Sequence, residues 1–465
     1  MDILTTLSRR ALGIIVGVAL SPSLALSAQY SQTSEFLLDN GMKVVVREDH
    51  RAPTVAHMVW YKAGSIDEVN GKTGVAHVLE HMMFKGTKQL KPGEFSKKVA
   101  AVGGKDNAFT SKEYTAYFQQ VGKEHLEKMM ALEADRMTNL QISKEEFDKE
   151  IQVVMEERRL RTEDQPDALM HEQLIAAAFA NSSYRHPIVG WMDDLKNMTY
   201  EDAQEWYQKW YVPNNAVLVV VGDVNPQEVY RLALQYFGPI KARPLPVRKP
   251  QNEIVQLGTK RITVKAVAKT PDIAMAWKVP RIVPEKLDSV EPYALDVLVS
   301  ILDGHDNARL NKAIVKRARL ADAINASYDA LGRGPQLFSI GVIPANGQSF
   351  EKIEVTVKEV LRDIAERGVT DAELNRVKAH LLASQIYKRD SVFGQAMEIG
   401  MDEMSGISWK NVDQLIANLQ NVRSDDVRQV IQKYLIDDNL TVAVLIPQPS
   451  DGKPKKQPTS FGRHE

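Results

Sequence analysis

Gln208-Lys209-Trp210-Tyr211-Val212-Pro213-Asn214-Asn215-Ala216-Val217-Leu218 recurs without a gap as Gln432-Lys433-Tyr434-Leu435-Ile436-Asp437-Asp438-Asn439-Leu440-Thr441-Val442. Each copy closes a helical stretch, turns on Asn or Asp, and enters an apolar strand-like run, so one supersecondary unit is written twice. Upstream, the strand-like run Thr54 to Trp60 after Pro53 has a counterpart, Asp272 to Lys278 after Pro271, at nearly the same offset. A chain of 465 residues exceeds what one hydrophobic core normally organises. The repeat therefore divides it into two duplicated α/β domains of roughly 200 residues each. Pro239, Pro244, Pro246 and Pro250, with Lys241, Arg243, Arg248 and Lys249, interrupt all periodicity and read as a linker over residues 239–262. This places the first domain at 29–238 and the second at 263–447.

The first half carries His77-Val78-Leu79-Glu80-His81. His77 and His81 are one helical turn apart, so both rings can reach a single ion, and Glu80 is placed to hold a water on that ion. The order H-x-x-E-H is that of a zinc hydrolase written in reverse. The plain alternative is a pair of structural histidines. Only ten His occur in the chain, and Val75, Ala76, Val78, Leu79, Met82, Met83 and Phe84 surround the polar triad with apolar side chains. A buried helix with two His and a Glu needs something to satisfy them, which favours metal.

A catalytic zinc takes three protein ligands and keeps one position open. The stretch from Glu145 to Leu160 reads as a helix with Phe147, Ile151, Val154 and Met155 on its apolar side. Glu150 and Glu157 lie two turns apart on one face, so either could supply the third ligand. Glu145, Glu146, Asp148 and Glu156 read as solvated acids.

These motifs resemble those of the M16 family of inverted-motif zinc peptidases, the pitrilysin and mitochondrial processing peptidase group. The likeness continues through Leu38-Asp39-Asn40-Gly41-Met42-Lys43-Val44, Ala63-Gly64-Ser65-Ile66-Asp67-Glu68, Phe84-Lys85-Gly86-Thr87 and Gly103-Gly104-Lys105-Asp106-Asn107-Ala108-Phe109-Thr110-Ser111, and spans residues 34 to 447. It implies an α+β fold of two homologous domains, each a largely antiparallel sheet with packed helices. Glu157, 76 positions past His81, stands where the family has its third ligand. The resemblance thus implies one zinc per chain on His77, His81 and Glu157, Glu80 as general base, and Glu150 as a carboxylate that orients the site. The activity implied is endopeptidase cleavage of short or unfolded peptides; the alternative is a non-catalytic scaffold or assembly subunit of the same fold.

Where the second half should repeat the metal helix it reads Tyr293-Ala294-Leu295-Asp296-Val297-Leu298-Val299-Ser300-Ile301, without histidine. That half is expected to shape the chamber and grip substrate. In many family members it carries an Arg and a Tyr six residues apart that steady the transition state. Here the aligned run, Val315-Lys316-Arg317-Ala318-Arg319-Leu320-Ala321-Asp322, offers Lys316 and Asp322 instead. Arg317, Arg319 and Tyr328 do not restore the pair at the right spacing. By the resemblance, zinc-bearing chains that lack the pair work with a sister subunit that supplies it, so such a partner is expected.

The segment Ala108-Phe109-Thr110 with Tyr114 to Phe118 alternates like a hairpin after the Gly103-Gly104 turn. The family reading adds a peptide pairing with this edge, at Asn107, Ala108 and Phe109, with Asn107 beside the scissile bond. His186 reads as structural and not as a fourth ligand.

Arg9 and Arg10 precede the apolar run Ala11 to Leu20, and small residues follow at Ser23-Leu24-Ala25 and Ala25-Leu26-Ser27. Residues 1–28 read as a secretory signal, and the run is too short for a comfortable membrane span. A bacterial periplasm is the expected location, with an uncleaved membrane anchor as the alternative. The absence of cysteine fits an exported protein without demonstrating export. With 59 basic and 60 acidic residues, no net field recruits nucleic acid. The Pro- and Lys-rich tail, 448–465, reads as a disordered end.

Overall fold

Runs such as Ala216-Val217-Leu218-Val219-Val220-Val221 are apolar at every position, which is the pattern of a strand covered on both faces. The computed structural model describes residues 32–449, so the expected leader and all of the tail beyond Pro449 lie outside the described residues. Its strands are β1 (Thr33–Leu37), β2 (Lys43–Glu48), β3 (Thr54–Tyr61), β4 (Lys105–Thr110), β5 (Thr115–Gly122), β6 (Ala216–Gly222), β7 (Lys260–Val267), β8 (Asp272–Val279), β9 (Ala321–Tyr328), β10 (Gln336–Pro344) and β11 (Leu440–Gln448).

They form two sheets, ordered β1-β2-β6-β3-β5-β4 and β7-β11-β8-β10-β9. Omitting β1, the two orders superimpose strand for strand, with the repeated sequence units entering β6 and β11. Each sheet has a single parallel pair, β2 with β6 and β7 with β11, and is otherwise antiparallel. The fold is thus the expected α+β duplication of largely antiparallel sheets with packed helices.

The alternating faces of β6 explain the continuous apolar run. Leu218 and Val220 enter the core under the first half's own helices, while Val219 and Val221 meet Ala396, Ile399 and Met404 of helix Val392–Ser405. That helix comes from the second half. The exchange is reciprocal: Met170 and Leu174 of helix Pro166–Ala178, from the first half, pack on Ala274, Ala276, Ala443 and Leu445 of the second sheet. Burying one Ile or Leu contributes about 2 kcal/mol, so each half is stabilised by a helix of the other. Helix Val392–Ser405 approaches so closely that a β-carbon on Gly400 would enter the indole of Trp60.

Two boundaries differ from expectation. Strand β7 begins at Lys260, inside the expected linker, and β11 runs through Gln448, which pairs with Val267 in the expected tail. In both cases the parallel ladder between β7 and β11 carries the strand further than the composition suggests. The linker itself is docked: the Glu253 carboxylate accepts N–H groups of Ala180, Asn181 and Ser182 at 2.8–3.1 Å, and Arg248 meets Asp67 at 2.7 Å. Among the described residues no helix is long and apolar enough to cross a membrane.

Candidate metal centre

The helix that carries the histidines, Val75–Met82, starts at a backbone crossing. Gly74 (φ 88°) and Gly190 (φ 85°) face each other, and a β-carbon on Gly190 would lie 2.7 Å from Gly74 Cα. Both the left-handed φ and the contact require glycine at these two positions. Glu68 satisfies the start of the helix, accepting N–H groups from Gly74 at 2.8 Å and Ala76 at 2.9 Å. Burial lifts this carboxyl to about 8 despite those two donors. Val75, Ala76, Val78, Leu79 and Met82 are buried on the core side, which fixes the rotation of the helix and turns His77, Glu80 and His81 to one face.

Helix Lys144–Arg158 lies against it, with Phe147, Ile151, Val154 and Met155 in the core as expected, and Ser143 Oγ capping the first turn from Glu146 N. It continues as a wider helical turn over Arg159–Glu163. Its two acids take opposite nitrogens of His81. Glu157 Oε2 lies 3.3 Å from His81 Nε2 and 3.7 Å from His77 Nε2, whereas Glu150 Oε1 lies 2.8 Å from His81 Nδ1. One ligand atom from each of His77, His81 and Glu157 falls within 4.8 Å of the others, and this is the group of metal-capable side chains found among the described residues. His186 stands apart from it, with Nε2 2.9 Å from Asn70 Oδ1.

The electrostatics suit a divalent cation. Burial, then the His81 charge, pushes His77 down to about 3, so its imidazole is neutral and has a lone pair to give. Burial opposes charge on His81, but the bonds it donates to Glu150 and Glu157 outweigh this and raise the ring to about 9, so a cation bound here would have to displace the proton on Nε2. Burial acts against the Glu157 charge as well, yet His81 and His77 hold the carboxyl down to about 2. Two imidazoles and a carboxylate converge on one point, with a further carboxylate on the far nitrogen of one ring, an arrangement that could hold a metal ion such as zinc.

Glu80 lines the same space and accepts the Thr110 hydroxyl at 2.5 Å. A cavity of ≈ 1030 Å³ opens in front of the three metal-capable residues. Asn107, Ala108 and Phe109 lie along its wall on β4, the edge of the first sheet. The Asn107 side chain is turned back onto Ala108 N at 2.9 Å, and the Phe109 ring packs edge-on against Trp60 at 5.4 Å. Among the described residues, those lining the cavity come from the first half. The second half acts behind it: Arg333 binds Asp67 at 2.7 Å and Glu113 at 2.8 Å, next to the turn between β4 and β5.

Several contributors carry no role in a reading of motifs alone. Lys85 Nζ holds the second oxygen of Glu150 at 2.5 Å, and Arg161 holds the second oxygen of Glu157 at 2.8 Å. The Arg161 pairing was available as a spacing, since Arg161 follows Glu157 by four, whereas Lys85 meets Glu150 across two helices. Thr110 meets Glu80, and Arg333 braces Asp67 and Glu113 behind the wall, only through tertiary structure, and neither has such a signal.

Two family models match the chain: Insulinase (Peptidase family M16) over residues 43–190 and Peptidase M16 inactive domain over residues 197–381. A zinc protease PqqE of Helicobacter pylori is 31% identical over 453 residues, covering 94% of this chain and 99% of its own. The chain belongs to peptidase family M16. An uncharacterized zinc protease YmxG of Bacillus subtilis is 26% identical over 90% of this chain and 99% of its own length. Among solved structures, a protease from Helicobacter pylori superimposes with TM-score 0.84 at 29% identity, over 90% of this chain and 100% of that one. The periplasmic protease PqqL from Escherichia coli shares the fold, with TM-score 0.76 at 19% identity, over 90% of this chain and 48% of that one.

Against the M16 pattern, the second half departs at the Arg and Tyr positions. Lys316 is engaged with Asn307 Oδ1 at 2.8 Å, Asp322 is exposed on the edge strand β9, and Tyr328 donates to Pro280 O at 2.7 Å. None of these lines the cavity, nor do Arg317 and Arg319.

Proposed function

We propose that this chain is a zinc-dependent endopeptidase that hydrolyses short or unfolded peptides. The observation that carries the reading is the approach of His77, His81 and Glu157 to within 4.8 Å, with Glu80 facing the same cavity. A scaffold has no use for Glu80 held beside such a centre, so the non-catalytic alternative is disfavoured. His77, His81 and Glu157 would hold the ion, one per chain, and Glu150 would fix the His81 ring through Nδ1. When bound, the zinc acidifies a water molecule and polarises the peptide carbonyl.

Glu80 then takes the water proton on its carboxylate and returns it to the leaving amine. Thr110 orients Glu80 through one oxygen and leaves the other for this transfer. A peptide laid along the free edge of β4 would gain backbone hydrogen bonds at Asn107, Ala108 and Phe109, which gives affinity without strict sequence demands. The side chains of Asn107 and Phe109 are committed elsewhere, which supports a backbone role for this edge.

Lys316 and Asp322, at the positions of the family's Arg and Tyr and outside the cavity wall, would leave the transition-state clamp incomplete. This supports a sister subunit of similar fold that supplies the Arg and Tyr. Export to the periplasm, by a leader cleaved near residue 28 or retained as an anchor, is the accompanying reading of the amino terminus. The test is cleavage of a quenched peptide by the mature chain, alone and mixed with candidate sister chains, before and after chelation. Cleavage that requires the second chain and is lost on chelation is the expected result. Full activity alone removes the partner, and activity that survives chelation removes the zinc mechanism.

A further inference from the structure

Among the described residues, three of the four carboxylates that face the cavity are paired with cations, and the fourth, Glu80, is held by a hydroxyl. Glu156 pairs with Arg159, Glu157 with Arg161 and Glu172 with Arg158, each at 2.8 Å, and Glu80 receives the Thr110 hydroxyl. Two cations in the same wall have no such pair. Among the described residues, neither Lys112 nor Arg185 has a carboxylate within 4.0 Å. Lys112 Nζ makes one hydrogen bond, to Tyr184 O at 2.5 Å, and Arg185 donates to Ala180 O at 3.0 Å and leans on His186 at 3.5 Å. The nearest acid to Lys112 in sequence, Glu113, is held by Arg333 at 2.8 Å.

Burial pushes the Lys112 ammonium down to about 8 against a weaker pull from Glu113, and Nζ also stands 5.1 Å over the Tyr184 ring. Burial, then Arg185 and more weakly Lys112, lowers His186 to about 4, so the two cations act on one patch of the wall. Two cations of one patch without a paired carboxylate, set apart from the ion-paired Glu156, Glu157 and Glu172, suit an anion that arrives with the ligand. Lys112 follows Thr110, which touches Glu80, by two residues. The strand ends at Thr110 and Lys112 sits in the turn beyond it, so a peptide along this edge meets Lys112 at the turn end of β4, beside the bond being cut.

We propose that Lys112 and Arg185 form a carboxylate subsite of the cleft, which takes either the C-terminal carboxylate of the peptide or an Asp or Glu side chain near the cleaved bond. This rests on the peptidase reading above.

The test is fluorescence anisotropy on the full mature chain carrying Glu80→Gln, zinc-loaded, so that binding is read without turnover. One labelled peptide of neutral side chains is used as the free acid, as the C-terminal amide, and as the amide with a single Glu. The expected result is that one of the two charged forms binds about tenfold more tightly than the neutral amide, the effect of one charge-assisted hydrogen bond. Preference for the free acid assigns the subsite to the terminus, and preference for the Glu form assigns it to a side chain. Lys112→Met or Arg185→Met should erase the difference while leaving the neutral amide unchanged, and Lys112→Arg should retain it. Equal binding of all three forms overturns the subsite and leaves the peptidase standing, whereas binding of none overturns both. Equal weakening of all forms by Lys112→Met makes Lys112 a structural tie to Tyr184 and also overturns the proposal.

Discussion

Glu150 holds His81 through Nδ1 at 2.8 Å, the ring nitrogen opposite the one that meets Glu157. This contact divides the labour of two acids that sit on one helix face. A carboxylate behind a ligand His orients the ring and raises its basicity without touching the ion. Glu150→Gln should therefore leave the chain able to bind zinc, with affinity about 10- to 100-fold weaker in a competition titration against a chelator. Unchanged affinity would remove Glu150 from the centre, and complete loss would make it a ligand.

Glu80→Gln keeps the size of the side chain and removes the base. Its expected signature is normal zinc content with peptide cleavage, measured with the sister chain present, lowered by about 10²–10⁴-fold. Cleavage within a few-fold of the parent chain would transfer the proton step to another group.

Much of the fold was legible in the sequence. The repeated helix–turn–strand unit located β6 and β11, and the offset after Pro53 and Pro271 located β3 and β8, because a short, largely apolar run bounded by Pro, Asn or Asp fits a strand covered on both faces. The exchange of helices Pro166–Ala178 and Val392–Ser405 between the halves was not legible. Amphipathic patterning states that a helix has a face to bury, and says nothing of which sheet receives it. The same limit applied at the site. Helical spacing brought His77, Glu80 and His81 together, but Glu150 and Glu157 share a face, so the choice between them needed either the family likeness or the distances to the two nitrogens of His81. The linker read as a tether by composition, while Glu253 and Arg248 bind it to both halves through contacts distant in sequence.

The contact between Gly400 and Trp60 gives a test of the helix exchange. On a solvent-facing helix Gly→Ala stabilises. At Gly400 the added methyl meets the indole, so Gly400→Ala should destabilise the chain by about 1–3 kcal/mol, seen as a lower melting temperature. Trp60→Leu in the same chain should recover part of the loss, because the two side chains occupy one space. A neutral or stabilising Gly400→Ala would mean that the helix does not pack there.

Asp402 on the same helix predicts a pH dependence. Burial, then the charges of Glu398 and Glu403, raises its carboxyl from 3.8 to about 8 against the pull of Lys388 and Arg47. Below about pH 4 folded and unfolded chains both hold the proton and nothing is lost. Between about pH 4 and pH 8 the unfolded chain has released the proton while the folded chain keeps it, so stability falls as pH rises. Asp402→Asn should thus raise the melting temperature at pH 8, by something on the order of 2 °C, and leave it nearly unchanged at pH 4. An equal effect at both values would assign the change to packing and not to titration.

The central claim is that His77, His81 and Glu157 together hold one metal ion, and the most direct measurement is zinc content by mass spectrometry on the purified mature chain and on Glu157→Ala after identical dialysis. About one zinc per parent chain and essentially none on Glu157→Ala is the predicted result. A parent chain that holds no zinc when supplied with it, or a Glu157→Ala chain that retains a full equivalent, would contradict the assignment.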